Sequence, residues 1–203
     1  MRFPDFFVDA PIIRVIDPLA EFLGAAEIGL IDYRYEDAVR LAGHSCPTVA
    51  SAFLMVRAGL AALYGNDLPV RGEIRVDFAE PPDAGVAGVI ASIATLITGA
   101  TADTGFRGLG GQFNRRNKLY FSQPIKAGSL RLTRLDSEQS IEVSADLSKV
   151  PGDPRIAELM LRCLKGDATI DEQRLFRRLW QDRVRRILLE HADDPAVIQT
   201  SNT

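Results

Sequence analysis

Histidine and cysteine are scarce in this chain: two of each among 203 residues, His44, His191, Cys46 and Cys163. Two thiols exclude a secreted disulfide framework and a four-cysteine zinc knuckle. A large excess of charge of one sign is also absent, with 24 Lys and Arg against 27 Asp and Glu. The net charge is −3 and the pI about 5.5, which gives no support for broad electrostatic binding to nucleic acid or to an anionic membrane. Long hydrophobic runs are missing as well. The apolar stretch 86–100 is short and carries Thr95 and Thr98, well under the roughly 18 residues of a membrane span. The first residues, Met1-Arg2-Phe3-Pro4-Asp5, lack the basic segment and apolar run of a signal peptide. A cytoplasmic protein with neither nucleic-acid nor membrane partners is therefore expected. No Ser-His-Asp arrangement, internal repeat or low-complexity segment stands out.

What is present suffices for a core without disulfides or a structural metal: 46% hydrophobic and 25% charged residues. The pattern predicts one α+β domain over 1–194, with an antiparallel or mixed sheet packed against buried helices and a helical C-terminal segment. Residues 195–203 read as a flexible tail. Asp17 and Pro18 open a helix over 17–26, because proline suits the first helical position. A strand over 28–33 and a helix over 35–41, ended by Gly43, follow. The segment 47–64 is apolar almost all round, the mark of a buried helix. Residues 71–79 alternate, with Ile74, Val76 and Phe78 on one face and Glu73, Arg75 and Asp77 on the other. That period of two predicts a half-buried strand with Asp77 in solvent. A second buried helix is expected over 86–97, strands over 118–122, 129–135 and 140–146, and a helix over 155–164. Thr169 and Glu172 form a capping box for a last helix reaching about 191.

The sharpest chemical signal is His44-Ser45-Cys46-Pro47. Proline in the first turn places Cys46 at the N-cap, where free amides and the helix dipole favour a thiolate. His44, two residues away, reaches the same spot as an imidazolium partner or co-ligand, and nitrogen plus sulfur suits zinc or another transition metal. The plain alternative is a small buried cysteine with His44 bonded to a backbone carbonyl. Cys163, among apolar neighbours, reads as inert core. Glu73, Asp77 and Glu80 are available as acids or third ligands. Gly108-Leu109-Gly110-Gly111 is not a P-loop, since it lacks the Gly-Lys-Ser/Thr ending. Arg107, Arg115, Arg116 and Lys118 in and beside that loop suit an anionic group, the plain alternative being a solvated loop held by glycine turns. Arg174, Arg177, Arg178, Arg183, Arg185 and Arg186 make the last helix basic, which reads as a solvated face or a docking surface with Trp180 as anchor.

Gly43-His44-Ser45-Cys46-Pro47 before a long apolar helix resembles the FmdE family, named for a component of formylmethanofuran dehydrogenase. So do Thr98-Gly99 at a helix end, the glycines of 105–111, and Asn117-Lys118-Leu119-Tyr120-Phe121. The resemblance spans roughly 35–190. It implies an α+β core that dimerises and binds a metal, commonly zinc, near His44 and Cys46. It also marks Thr98, Gly99, Asn117 and Lys118, with Arg107 beside them, as candidate cofactor contacts. The loop 101–117, long and glycine-rich, reads as a lid over the site. Relatives carry a cysteine after Thr-Gly where this chain has Ala100, and the cysteine-rich appended domain of many relatives has no counterpart in these residues. Three functions stay open: a metal-binding homodimer using His44 and Cys46; a thiol enzyme with Cys46 as nucleophile and His44 as its base; and a carrier of haem or another flat small-molecule ligand.

Overall fold

The computed structural model describes residues 3–126 and 129–203. In chain order the elements are β1 (Ile13–Ile16), α1 (Pro18–Phe22), β2 (Leu30–Tyr33), α2 (Tyr35–Ala42), α3 (Pro47–Tyr64), β3 (Ile74–Phe78), α4 (Ala87–Thr98), β4 (Leu119–Tyr120), β5 (Leu130–Arg134), β6 (Ser140–Ala145), α5 (Ile156–Lys165), α6 (Ile170–Arg185) and β7 (Ile198–Asn202). Among the described residues, five strands form one mixed sheet in the order β4-β3-β5-β6-β7. Within it β3 and β4 run parallel, and the other pairs are antiparallel. β1 and β2 make a separate antiparallel pair. The fold is α+β, as the patterns predict.

α3 is the centre of the core. Every residue from Val49 to Val56 is buried, so the all-round apolar surface is matched by neighbours on all sides. One flank faces β5, β6 and β7, another faces α4, and α2 lies alongside. Gly59 sets how closely helix and sheet approach. A Cβ there would lie 2.6 Å from Leu132 Cδ1 and 3.0 Å from Val143 Cγ2. By length and composition α3 is apolar enough to cross a membrane, yet 72% of it is buried inside the fold, as for a core helix.

Local end signals hold. Asp17 Oδ1 accepts the Leu19 and Ala20 amide protons at 2.9 and 3.2 Å, with Pro18 in the first turn. The resulting helix is short, because Leu23 already leaves helical geometry. The Thr169–Glu172 capping box is complete. α6 runs on through a wider π-type turn over Arg186–Glu190, so the helical path reaches His191 as expected.

Three expectations need correction. Residues 195–203 are not a frayed tail, since β7 pairs with β6 over five residues. Val197 and Ile198 are buried there. His191 Nδ1 meets Asp194 Oδ2 at 2.8 Å and Arg57 Nη1 meets Asp193 at 2.6 Å, which fixes the approach to the strand. Asp77 is 1% exposed rather than solvated. Arg75 and Arg131 each donate to it, at 2.8 Å and at 3.2–3.3 Å, so a charged outer face is closed by its own ion pairs. Not all the arginines of the last helix belong to a solvated face. Arg183 donates to the carbonyls of Val150 and Leu147, at 2.7 and 3.0 Å, and Arg186 to that of Pro151 at 2.7 Å.

Candidate ligand groove beside His44

Gly43, at φ 75°, ends α2, and Cys46 begins α3. Between them only His44 and Ser45 link two helices. Cys46 occupies the N-cap as expected, with extended φ and ψ of −146° and 168°, and its Sγ accepts the Val49 amide proton at 3.4 Å. Pro47 fills the first turn, where a missing N–H costs nothing.

Ser45 is held from two sides. Its carbonyl accepts Trp180 Nε1–H at 3.0 Å and Gln181 Nε2–H at 3.2 Å, and its hydroxyl donates to Gln181 Oε1 at 3.1 Å. The Tyr35 hydroxyl lies 3.0 Å from Ser45 Oγ. Ser45 has one hydroxyl proton and gives it to Gln181, so Tyr35, whose pKa burial pushes far up, donates to Ser45 Oγ. α6 thus fixes the link between α2 and α3, and with it the ring of His44. Nδ1 of that ring lies 2.9 Å from the Ala42 carbonyl. A carbonyl only accepts, so Nδ1 carries the proton, and Nε2 holds the lone pair in the neutral ring.

His44 is exposed at the wall of a groove of about 720 Å³. Phe3, Phe7, Cys163, Phe176 and Trp180 line it, with Arg177 among the few polar groups. Rings brace one another: Phe7 meets Tyr35 edge-on at 4.9 Å, and Phe176 lies 5.7 Å from Trp180. Sequence reasoning missed most of this wall. Its signal is periodic: Met160, Cys163 and Leu164 share one stripe of α5, and Phe176, Arg177, Trp180 and Gln181 share one stripe of α6.

Of the two cysteines, Cys46 sits at the helix start as expected and Cys163 does not sit where expected. Cys163 is half-buried in the groove with His44, not inert core. Cys46 packs against the edge of the core and lines neither cavity that His44 lines. Cap geometry explains this, because the sulfur turns toward the first amides of α3. Among the described residues, no three His, Cys, Asp or Glu side chains converge as a metal site would require. His44 and Cys46 therefore offer no complete zinc shell among those residues.

The glycine-rich loop does not cover the groove, which none of its residues lines. It folds instead toward α1: Arg115 Nη2 reaches Asp17 Oδ1 at 2.6 Å, and Phe113 lies 5.3 Å from Phe22. Thr98 is fully buried and serves the end of α4, donating to Ala94 O at 2.7 Å and accepting the Ala100 amide at 3.2 Å. Gly99, at φ 74°, supplies the left-handed turn after it. Arg107 and Asn117 are exposed, and Asn117 acts through its backbone, accepting from Tyr120 at 2.7 Å. Lys118, the remaining candidate cofactor contact, lines a second cleft rather than the groove.

No family model matches the chain, and no curated protein is significantly similar to it. The fold and the groove define an α+β domain with an aromatic-walled cavity, and the resemblance to the FmdE family rests on the quoted motifs alone.

Proposed function

We propose that the protein binds a flat, largely apolar small molecule in the groove beside His44, with haem as the candidate that the donors favour. The observation that carries this is His44 itself: an imidazole oriented by the Ala42 carbonyl, its proton on Nδ1, at the wall of an aromatic cavity. A volume near 720 Å³ lies within the range of cofactor sites. Nε2 would be available to hold the iron, Cys163 and Met160 are further soft donors in the lining, and Arg177 suits a carboxylate edge. When bound, haem would supply redox or gas-binding chemistry; the residues here would hold and orient it.

Titration of the purified protein with haemin tests the reading. A Soret shift that saturates at one equivalent is expected, and His44→Ala should weaken binding about tenfold, the loss of one good ligand contact. An unperturbed Soret band, or equal behaviour of the variant, overturns it. Zinc retained through dialysis, and lost in both His44→Ala and Cys46→Ala, would favour a His-x-Cys metal site instead.

A second reading, in which the groove seats another copy of the chain, has its own support. Leu164 is 78% exposed at the rim and Leu161 56% exposed on the same helix. Sedimentation of wild type and Leu164→Arg distinguishes the two. A dimer split by the substitution supports an interface, and a monomer in both proteins rejects it.

A further inference from the structure

A second cleft, of about 350 Å³, shares no lining residue with the groove. Arg71, Glu73, Arg115 and Lys118 line it, facing the loop at Gly111, Gln112, Phe113 and Asn114. Behind it lies Asp17, 3% exposed. The oxygens of that single carboxylate serve two guanidiniums, Arg71 at 2.8 Å and Arg115 at 2.6 Å, as well as two amides of α1. Arg71 also donates to the Leu96 carbonyl at 3.2 Å through Nη2. Lys118 Nζ donates to the Gly72 carbonyl and lies 3.5 Å from Glu73 Oε1.

The charges do not cancel. Among the described residues at the cleft, three cations (Arg71, Arg115, Lys118) stand against two carboxylates (Asp17, Glu73), and the Glu73 side chain is 50% exposed, where water screens it. One positive charge is left over in a half-closed space. Arg115 is 5% exposed, and its Nε has no hydrogen-bond partner among the described residues. Leaving a buried guanidinium under-satisfied is costly.

The backbone is shaped around these cations. Gly72 has φ 91°, and a Cβ there would fall 1.5 Å from Arg115 Nη1. Gly99 has φ 74°, and its Cβ would press on Arg115 Nη1 and Arg71 Nη1, each at 3.2 Å. Arg115 is fixed along its own main chain, its carbonyl accepting from the Thr101 amide at 3.0 Å and hydroxyl at 2.8 Å. Two glycines and a pinned loop thus make room for paired guanidiniums beside an ammonium, a donor set that matches the oxygens of phosphate or carboxylate.

We propose that this cleft binds a small oxyanionic molecule, a phosphate ester or a carboxylate, through Arg71, Arg115 and Lys118. Glu73 at the rim opposes the anion and sets its affinity. The cleft is thus a binding site independent of the groove. Calorimetric titration with inorganic phosphate, and separately with malonate, at constant ionic strength in chloride buffer tests it. Saturable binding is expected, and the tighter of the two anions identifies the headgroup. Lys118→Met should weaken it about tenfold, by loss of one charge-assisted contact. Glu73→Gln, at a half-exposed position that leaves the fold intact, should tighten it about threefold. Absence of saturable heat with both anions, or one affinity shared by all three proteins, overturns the proposal.

Discussion

Around His44 the chain buries rings; around Asp17 it buries charges. The groove is shaped by packing and by hydrogen bonds of α6 to one serine, and its lining is largely neutral. The cleft is shaped by ion pairs that join three separate stretches of chain, Asp17, Arg71 with Glu73, and Arg115 with Lys118. The first arrangement tolerates loss of a member gradually, since each ring contributes separate contact area. The second fails abruptly, because removing a shared counter-ion strands two cations. The two regions therefore predict substitutions of very different size.

The largest effect is expected at Asp17. Asp17→Leu leaves Arg115 and Arg71 without their carboxylate and α1 without its cap, and should cost about 4 kcal/mol in chemical denaturation. The same residue sets an acid limit. Burial disfavours the Asp17 carboxylate, but the Arg71 bond, the Arg115 charge and the Ala20 amide outweigh it and hold its pKa below the ordinary 3.8. A depressed value means this stabilisation is fully present above the unfolded-state pKa. It is lost as pH falls through the folded one. Stability of the wild type should accordingly drop below about pH 4, and an Asp17→Asn protein should lack that part of the drop.

Next in size is Trp180→Ala, which removes a half-buried ring and the Nε1 donor to Ser45. About 2 kcal/mol is expected, smaller than for a fully buried tryptophan, together with weaker haemin binding. Tyr35→Phe deletes only the hydroxyl facing Ser45 and should cost about 1 kcal/mol. Cys46→Ser is the mildest. Serine caps helices well, so a change within about 0.5 kcal/mol is expected. Were Asp17→Leu as mild as Tyr35→Phe in matched urea titrations, the contrast between the regions would be broken.

How much of this was legible in the sequence follows from the range of each interaction. The cap at Asp17, the box at Thr169, the sulfur at Cys46 and the buried helix α3 all depend on residues within one or two turns, and all form as read. The misreadings share a long-range cause. Asp77 looks solvated by its alternation, but Arg131 reaches it across the sheet from 54 residues away. Cys163 sits among apolar neighbours, yet the groove wall it joins is completed by Phe3, Phe7 and Trp180. β7 was invisible because Gln199, Thr200 and Ser201 carry no strand pattern; its partner β6 supplies the order. β1 differs: its run Ile12-Ile13-Arg14-Val15-Ile16 is rich in β-branched residues, a local strand signal that went unread, and it pairs with β2.

The outermost strand has a consequence for biosynthesis. β6 stays an open edge until residues 198–202 arrive beside it, after α5 and α6 have both been made. During translation most of the sheet can assemble while its outermost partner is still inside or near the ribosome. Completion of the fold then waits on the emergence of that segment, and a shortened chain lacking it would expose a ready template for mispairing.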